Sequence, residues 1–236
     1  MIACLPIPDW PEMAGATDRY WHLIRDALHA RGIDAPRELE KTVSGADCLR
    51  HPDLVLGLTP DPVFNRTPNH AVHHVATPDY GHPGCPAGYR RTAYLVRARD
   101  SRTDFAAFQD ACLAVDAPLN ALGNSGFSFR STTTTGTPAE TARAVAEGRA
   151  DIAATDALSW DLIKRYEDCS LELRVLGWSS PTPGPSYVCG LKTDPETVFA
   201  ALSDAISRLE IADRRTLRLR GLVRIDHNDI KNAPDP

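Results

Sequence analysis

Asp156 follows the short apolar run Asp151-Ile152-Ala153-Ala154 and precedes the helix-compatible stretch Ala157–Tyr166. A carboxylate placed where a buried strand ends and a helix begins can cap the helix, accept hydrogen bonds from a ligand, or do both. Asn124-Ser125-Gly126 is either an anion-binding turn of free N–H groups or a plain turn, since these residue types dominate turns in general. Trp10, between Asp9 and Pro11, is expected to be half-exposed, where it can close on a ligand or pack on the next loop. Arg90 and Arg91 can attract an anion or stand as a solvated basic pair. Tyr80 and Tyr89 flank a loop that carries His82 and Cys85, and with His70, His73 and His74 this loop invites a metal reading. His73 and His74 are adjacent on an expected strand and so point to opposite faces. His82-x-x-Cys85 supplies two ligands at most, and the spacing fits no standard zinc site, so no metal is expected. Nucleophilic catalysis has no support, because Gly123-Asn124-Ser125-Gly126 is one residue short of a G-x-S-x-G elbow. Neither G-x-x-x-x-G-K-[ST] nor G-x-G-x-x-G occurs, so no nucleotide cofactor is expected.

The elements that must position these residues are best defined between Gly136 and Tyr166. Thr137 and Glu140 fit a capping box, with Pro138 at the first helical position. Ala139, Ala142, Val145 and Ala146 recur at helical spacing, and Gly148 is placed to end the helix left-handed. Elsewhere Ile2–Leu5, Asp53–Thr59, Ala71–Ala76 (stopped by Pro78), Thr92–Ala98, Ala111–Val115 and Leu173–Trp178 read as strands. Thr17–Arg31 and Pro195–Leu209 read as helices, the second capped by Asp194, and Gly221–Ile225 as a last apolar piece before a loose polar tail. Asn120–Thr135 is polar and rich in Thr. The alternation of strand and helix predicts an α/β fold with mainly parallel sheets flanked by helices. Two breaker-rich stretches, Thr77–Gly88 and Ser179–Ser186, bracket the middle of the chain. A chain that leaves one lobe, builds a second and returns makes two hinge crossovers. The expected division is residues 1–89 with 179–236 as one lobe and 90–178 as the other, with ligand held in the cleft between them.

Composition narrows the partners. With 236 residues and 42% hydrophobic content the chain can bury a sizeable core. The net charge of -5 and the lack of a Lys/Arg block argue against nucleic acid or an anionic membrane surface. No apolar run reaches the roughly 18 residues of a membrane helix. Met1-Ile2-Ala3-Cys4-Leu5 is followed at once by Pro6, Pro8 and Asp9, which is no secretory leader. The expected location is therefore cytoplasmic with Met1 as the natural start, and periplasmic if an export signal has been removed. The six cysteines are scattered without a C-x-x-C pair and read as buried free thiols.

Taken in order, IACLPIPDWPEMAGATDRYW, TPDYGHPGCPAGYRR, NSG at Asn124–Gly126, TGTPAETARAVAEGRADIAATDALSWDLI and PTPG at Pro181–Gly184 resemble the phosphate/phosphonate substrate-binding proteins of ABC transporters. That resemblance runs over most of the chain and implies a two-lobed type II periplasmic-binding-protein fold. It implies that Asn124, Ser125 and Gly126 present N–H groups to an anion, that Trp10 and Tyr80 close over the ligand, and that Asp156 accepts hydrogen bonds from it. The family often carries a His where Pro138 stands. It also places a helix and a strand between the NSG-type turn and the next capped helix, where this chain has only Phe127–Thr135. The implied function is a non-catalytic solute-binding protein for a small phosphate- or phosphonate-like anion. The expected partners are that anion and an ABC permease, the protein itself being a monomer or weak dimer. The alternatives are a cytoplasmic enzyme on the same fold, with a cleft acid such as Asp156 as general base, or a degenerate regulatory member.

Overall fold

A computed structural model describes residues 1–6, 10–43, 45–59, 72–116 and 129–226. The chain forms two compact units. Among the described residues, unit 1 comprises 1–89 and 183–226, and unit 2 comprises Arg90–Thr182.

Unit 1 is built on a five-stranded sheet. Its strands are β1 (Ile2–Cys4), β2 (Leu54–Leu58), β3 (Val72–Asp79), β11 (Tyr187–Gly190) and β12 (Gly221–Val223), in the order β1-β2-β11-β3-β12. Helix α1 (Ala14–His29) buries Ala16, Tyr20, Trp21, Ile24, Ala27 and Leu28, a stripe at helical spacing. It packs against α5 (Pro195–Arg208), which buries Val198, Ala201, Leu202, Ala205 and Ile206. Asp194 accepts from the N–H of Thr197 and caps α5, as the sequence predicts. Two short helices, α2 (Gly45–Leu49) and α6 (Ile211–Thr216), complete the unit. The Arg19 guanidinium holds α6 to α1 through Asp213, at 2.6 and 2.8 Å.

Unit 2 has its own five-stranded sheet: β5 (Thr92–Arg97), β6 (Cys112–Val115), β7 (Ser131–Thr134), β8 (Ile152–Asp156) and β9 (Leu173–Trp178), in the order β7-β6-β8-β5-β9. One face buries Val96, Phe108, Leu113, Val115, Ile152 and Ala154. Phe105 meets Tyr94 edge-on beside this cluster, with ring centroids 4.8 Å apart. Each fully buried Leu or Ile here contributes about 1.5–3 kcal/mol relative to exposure. Helices α3 (Pro138–Ala146) and α4 (Ala157–Tyr166) pack together, and α3 lies on β5, β6 and β8. Thr137 caps α3 by accepting from the Glu140 N–H, and Gly148 adopts φ +81°, so both predicted ends of this helix are present.

The sheets are mixed rather than uniformly parallel, and the route of the chain gives the reason. Residues 89–92 carry it into unit 2, where Thr92 pairs with Asp156, the last residue of β8. The incoming strand β5 therefore starts at the carboxyl edge of the sheet and runs back, antiparallel to β8 and β9. On return, Tyr187 pairs with Leu58 at the end of β2, and β11 runs antiparallel to β2 and β3. Both strands that receive a crossover thus begin where the other strands end. The crossing segments themselves form a short ribbon, β4 (Tyr89–Arg90) beside β10 (Thr182–Pro183). Just beyond it Gly184 donates to the Gly88 carbonyl at 2.9 Å. A Cβ on Gly184 would lie 2.7 Å from that oxygen, which accounts for the glycine of the PTPG sequence.

Several expectations are corrected. The Thr-rich stretch supplies β7, an edge strand with all four residues exposed and paired in parallel with β6. Thr is β-branched and suits a strand, but with no apolar face the run carries no burial signal. Strand β3 continues through Pro78 to Asp79. Its pairing with β11 has ended at Ala76, so no ladder bond on that side needs the missing N–H. Cys4 and Cys48 form a disulfide, against the reading of six free thiols, because α2 sits on β1 and brings their Cα atoms to 6.5 Å. Cys85, Cys112, Cys169 and Cys189 form no disulfide.

Candidate functional site

In open α/β sheets ligands gather outside the carboxyl ends of the strands, so those edges are where the candidate residues must be sought. In unit 1, β3 ends at Asp79. Its Oδ1 accepts the N–H groups of Gly81 at 2.9 Å and Gly88 at 3.3 Å, which orders the loop that carries Tyr80, His82 and Cys85. Tyr80 and His82 lie with ring centroids 5.9 Å apart. Arg220 reaches the same edge from the other side, its N–H donating to the Asp79 carbonyl at 2.8 Å. The Arg220 side chain crosses Gly81, where φ is +60° and a Cβ would fall 2.1 Å from Nε, so only glycine fits. Tyr80 thereby lines a hollow of about 320 Å³ with Ile211, Arg214, Arg215, Arg218, Leu219 and Arg220. Arg214 is fixed by donating to the Leu209 carbonyl at 3.2 Å and to that of Ile206. This basic group went unnoticed in the sequence. Its signal is the arginine run after the last long helix, gathered on one side by the six-residue turn of α6.

Behind this edge lies a satisfied polar core. Thr59 and Ser186 exchange backbone and hydroxyl hydrogen bonds at 2.9 and 3.0 Å, and Thr77 Oγ1 meets Ser186 Oγ at 3.3 Å. The Tyr20 and Tyr187 hydroxyls are 3.0 Å apart, and burial raises both phenols well above their ordinary range, so both stay neutral. Trp10 is only 7% exposed, not half-exposed as expected, and its carbonyl accepts from Met13 at the turn that opens α1. A larger hollow of about 750 Å³ lies at the opposite, amino edge, beside Met1–Ala3.

In unit 2, Asp156 is the last residue of β8 and the N-cap of α4. Its Oδ1 accepts the N–H groups of Leu158 at 2.9 Å and Ser159 at 3.0 Å, and its Oδ2 accepts the Ser159 hydroxyl. The capping alternative is thus realised, and the carboxylate charge is spread over three donors. Two residues flanking the crossovers stand beside it. The Arg91 carbonyl accepts from Ala157, the first residue of α4, at 3.0 Å. The Arg91 guanidinium lies over the Trp178 ring, 4.1 Å from its centroid. Thr92 and Ser179 tie the two crossing segments together by reciprocal bonds of 2.9 Å.

Asn124, Ser125 and Gly126 lie outside the described residues, as does His70. Among the described residues no group of three or more His, Cys, Asp or Glu is arranged to hold a metal ion. Among them, too, no helix is long and apolar enough to cross a membrane.

The fold matches solved structures over nearly the whole chain. XAC2383 from Xanthomonas citri bound to ATP gives a TM-score of 0.67 at 11% identity, covering 98% of this chain and 97% of that one. PhnD1 from Prochlorococcus marinus in complex with methylphosphonate gives 0.67 at 13% identity, with 98% and 94% covered. A binding-protein component of an ABC phosphonate transporter from Pseudomonas aeruginosa gives 0.66 at 10% identity, with 97% and 83% covered. These likenesses establish a two-lobed α/β fold of the type II periplasmic-binding-protein kind. No curated protein sequence gives a significant match. The family model for the periplasmic phosphonate substrate-binding protein of ABC transporters matches residues 89–230, more than half of the chain, and this protein belongs to that family.

Proposed function

We propose that this protein binds a small phosphonate- or phosphate-like oxyanion at the carboxyl edges of its sheets and delivers it to an ABC permease, without chemical change to the ligand. The observation that carries this reading is the hollow in which Tyr80 is ringed by Arg214, Arg215, Arg218 and Arg220 at the carboxyl edge of unit 1. In a chain with net charge -5 such a concentration of guanidinium groups marks a place for an anion. Methylphosphonate and ATP, the ligands of two of the solved relatives, share a tetrahedral phosphorus bearing charged oxygens. Arginine forks match that geometry bidentately.

In this reading residues 1–89 with 179–236 and residues 90–178 are the two lobes. Trp10, Tyr80 and the Asn124-Ser125-Gly126 turn contribute to the site, with Asp156 holding α4 in place and offering its remaining lone pairs. The Cys4–Cys48 bond favours an oxidising compartment, and so the periplasm over the cytoplasm. The working form is a monomer or weak dimer.

The test is thermal unfolding against methylphosphonate, phosphite, phosphate, sulfate and small carboxylates. A ligand at 100 times its Kd stabilises by about 2.7 kcal/mol, which raises the midpoint of a protein of this size by roughly 5–11 °C. Failure of every phosphorus oxyanion to raise the midpoint refutes the proposal.

A further inference from the structure

We infer that Arg91, laid over Trp178 at the start of β5, is an anion-binding residue of unit 2 that grips a tetrahedral oxyanion through unspent guanidinium N–H groups. The inference rests on the oxyanion-binding reading above and decides, for Arg91, between the two roles that the sequence leaves open for the Arg90-Arg91 pair.

The Arg91 Nε is buried and has no hydrogen-bond partner. Buried donors in native proteins are paired with few exceptions, the acceptor of an exception being a water, an ion or a ligand. Among the described residues no carboxylate forms an ion pair with Arg91. Neighbouring arginines of the same unit behave differently. Arg97 pairs with Asp151 at 3.6 Å, Arg102 with Asp100 at 2.6 Å, and Arg143 with Glu140 and Glu167 at 2.9 and 3.1 Å. Arg102 also lies over a ring, that of Phe108, but it spends its N–H groups on Asp100; Arg91 is held by its aromatic face without consuming its hydrogen bonds.

Its placement is equally defined. The carbonyl of Arg91 is bonded to the first N–H of α4, and the next residue is bonded to Ser179. The side chain is thus anchored at the carboxyl edge of the sheet, beside the positive end of a ten-residue helix. The Asp156 carboxylate there already accepts from two N–H groups and the Ser159 hydroxyl.

A second orphan lies on the same edge. Thr155 is 3% exposed, and its Oγ1 is buried without a partner. Ala93 pairs with Thr155 on one side and Trp178 on the other, so all three side chains share one face of the sheet. The small Ala93 separates the ring that supports Arg91 from the unsatisfied hydroxyl. A guanidinium and a hydroxyl, both lacking acceptors, are the donor set a phosphonate or phosphate would use.

The experiment is calorimetric titration of methylphosphonate and inorganic phosphate into wild type, Arg91→Gln, Arg91→Lys and Thr155→Val, with thermal unfolding of each unliganded protein. Arg91→Gln is expected to weaken binding about 10- to 100-fold with the unliganded midpoint unchanged, since it removes hydrogen bonds to a charged group. Arg91→Lys keeps the charge but not the fork and is expected to fall between. Thr155→Val is expected to weaken binding severalfold. If wild type binds and Arg91→Gln binds equally well, Arg91 merely packs and the inference fails while the oxyanion reading stands. If wild type binds neither anion, both fail. If Arg91→Gln also lowers the unliganded midpoint, Arg91→Lys decides. A restored midpoint with weakened binding supports the inference, and restoration of both to wild-type values overturns it.

Discussion

Reducing the Cys4–Cys48 bond should destabilise unit 1 and leave unit 2 untouched. The two cysteines are separated by 44 positions, and the loop they close contains α1, whose apolar face supplies much of the unit's core. Closing a loop of that length removes about 13 cal/mol/K of chain entropy from the unfolded state, or about 4 kcal/mol at 25 °C. Native packing around the bond is already tight. Cys4 and Cys48 are buried with Leu49, Leu54 and Val188, and a Cβ on Gly57 would meet the Leu49 side chain at 2.4 Å. The reduced protein therefore has little to relax into, and most of the 4 kcal/mol should be expressed. For a chain of this size that is a fall of roughly 8–16 °C in the midpoint of the unit that carries the bond. Scanning calorimetry of oxidised and reduced protein measures it, with a thiol count in denaturant as control. The count should rise from four to six, because two of the six cysteines are joined in a disulfide and four are not. Cys4→Ala/Cys48→Ala should unfold like the reduced protein or earlier. Six titratable thiols with an unchanged midpoint would refute the reasoning. Six thiols both before and after reduction would show that the bond does not form in the way described.

Asp156→Ala should lower the stability of the unliganded protein by about 1 kcal/mol, because it strips the cap from α4, whereas Asp156→Asn should retain most of it. Urea titrations of the three proteins decide this, and a stable Asp156→Ala that has lost ligand binding would make Asp156 a contact rather than a cap. The hydrogen bonds from Arg102 hold the Asp100 carboxyl down at about 2, below its ordinary value. A carboxyl whose folded value is depressed contributes stability above its unfolded value near 3.9, and that stability is lost as pH falls through the folded value. Asp100→Asn should therefore cost about 1–2 kcal/mol at pH 7, with the gap to wild type closing between about pH 4 and pH 2. A gap that stays constant over that range in denaturant titrations would remove the ion pair as its cause.

Where the information is local, the sequence is legible. The helix–strand–helix from Pro138 to Tyr166 is punctuated by Thr137, Gly148 and Asp156, and each acts within a few residues of itself. The same holds for α1 and α5, whose apolar stripes span whole turns. The features that escaped depend on partners far along the chain. The disulfide needs α2 to sit on β1. The all-exposed β7 exists because β6 offers an open edge. Strand β11, buried at every position, is four residues long and cannot be told from a turn flank until β2 and β3 close on it from both sides.

The candidate site follows a different rule. Tyr80 comes directly after β3, Asp156 ends β8, Arg91 comes directly before β5 and Trp178 ends β9. All four stand at a carboxyl edge because the chain crosses between its units there, and the strand that receives a crossover must begin where its neighbours finish. The sequence weighs the Asn-Ser-Gly turn as an anion site and leaves the Arg90-Arg91 pair open between an anion contact and a solvated basic pair. A reading that first locates the crossovers, from the breaker-rich Thr77–Gly88 and Ser179–Ser186, would examine the residues flanking them. It would then find an arginine and a tryptophan at the two ends of the same middle block. The aromatic ring and the cation become significant only as a pair. Trp178 would otherwise be a partly exposed ring, 37% accessible, and the Arg91 Nε a buried donor without an acceptor. Together they form a positively charged platform with a buried, unpartnered Nε, and that pairing is what the proposed oxyanion contact rests on.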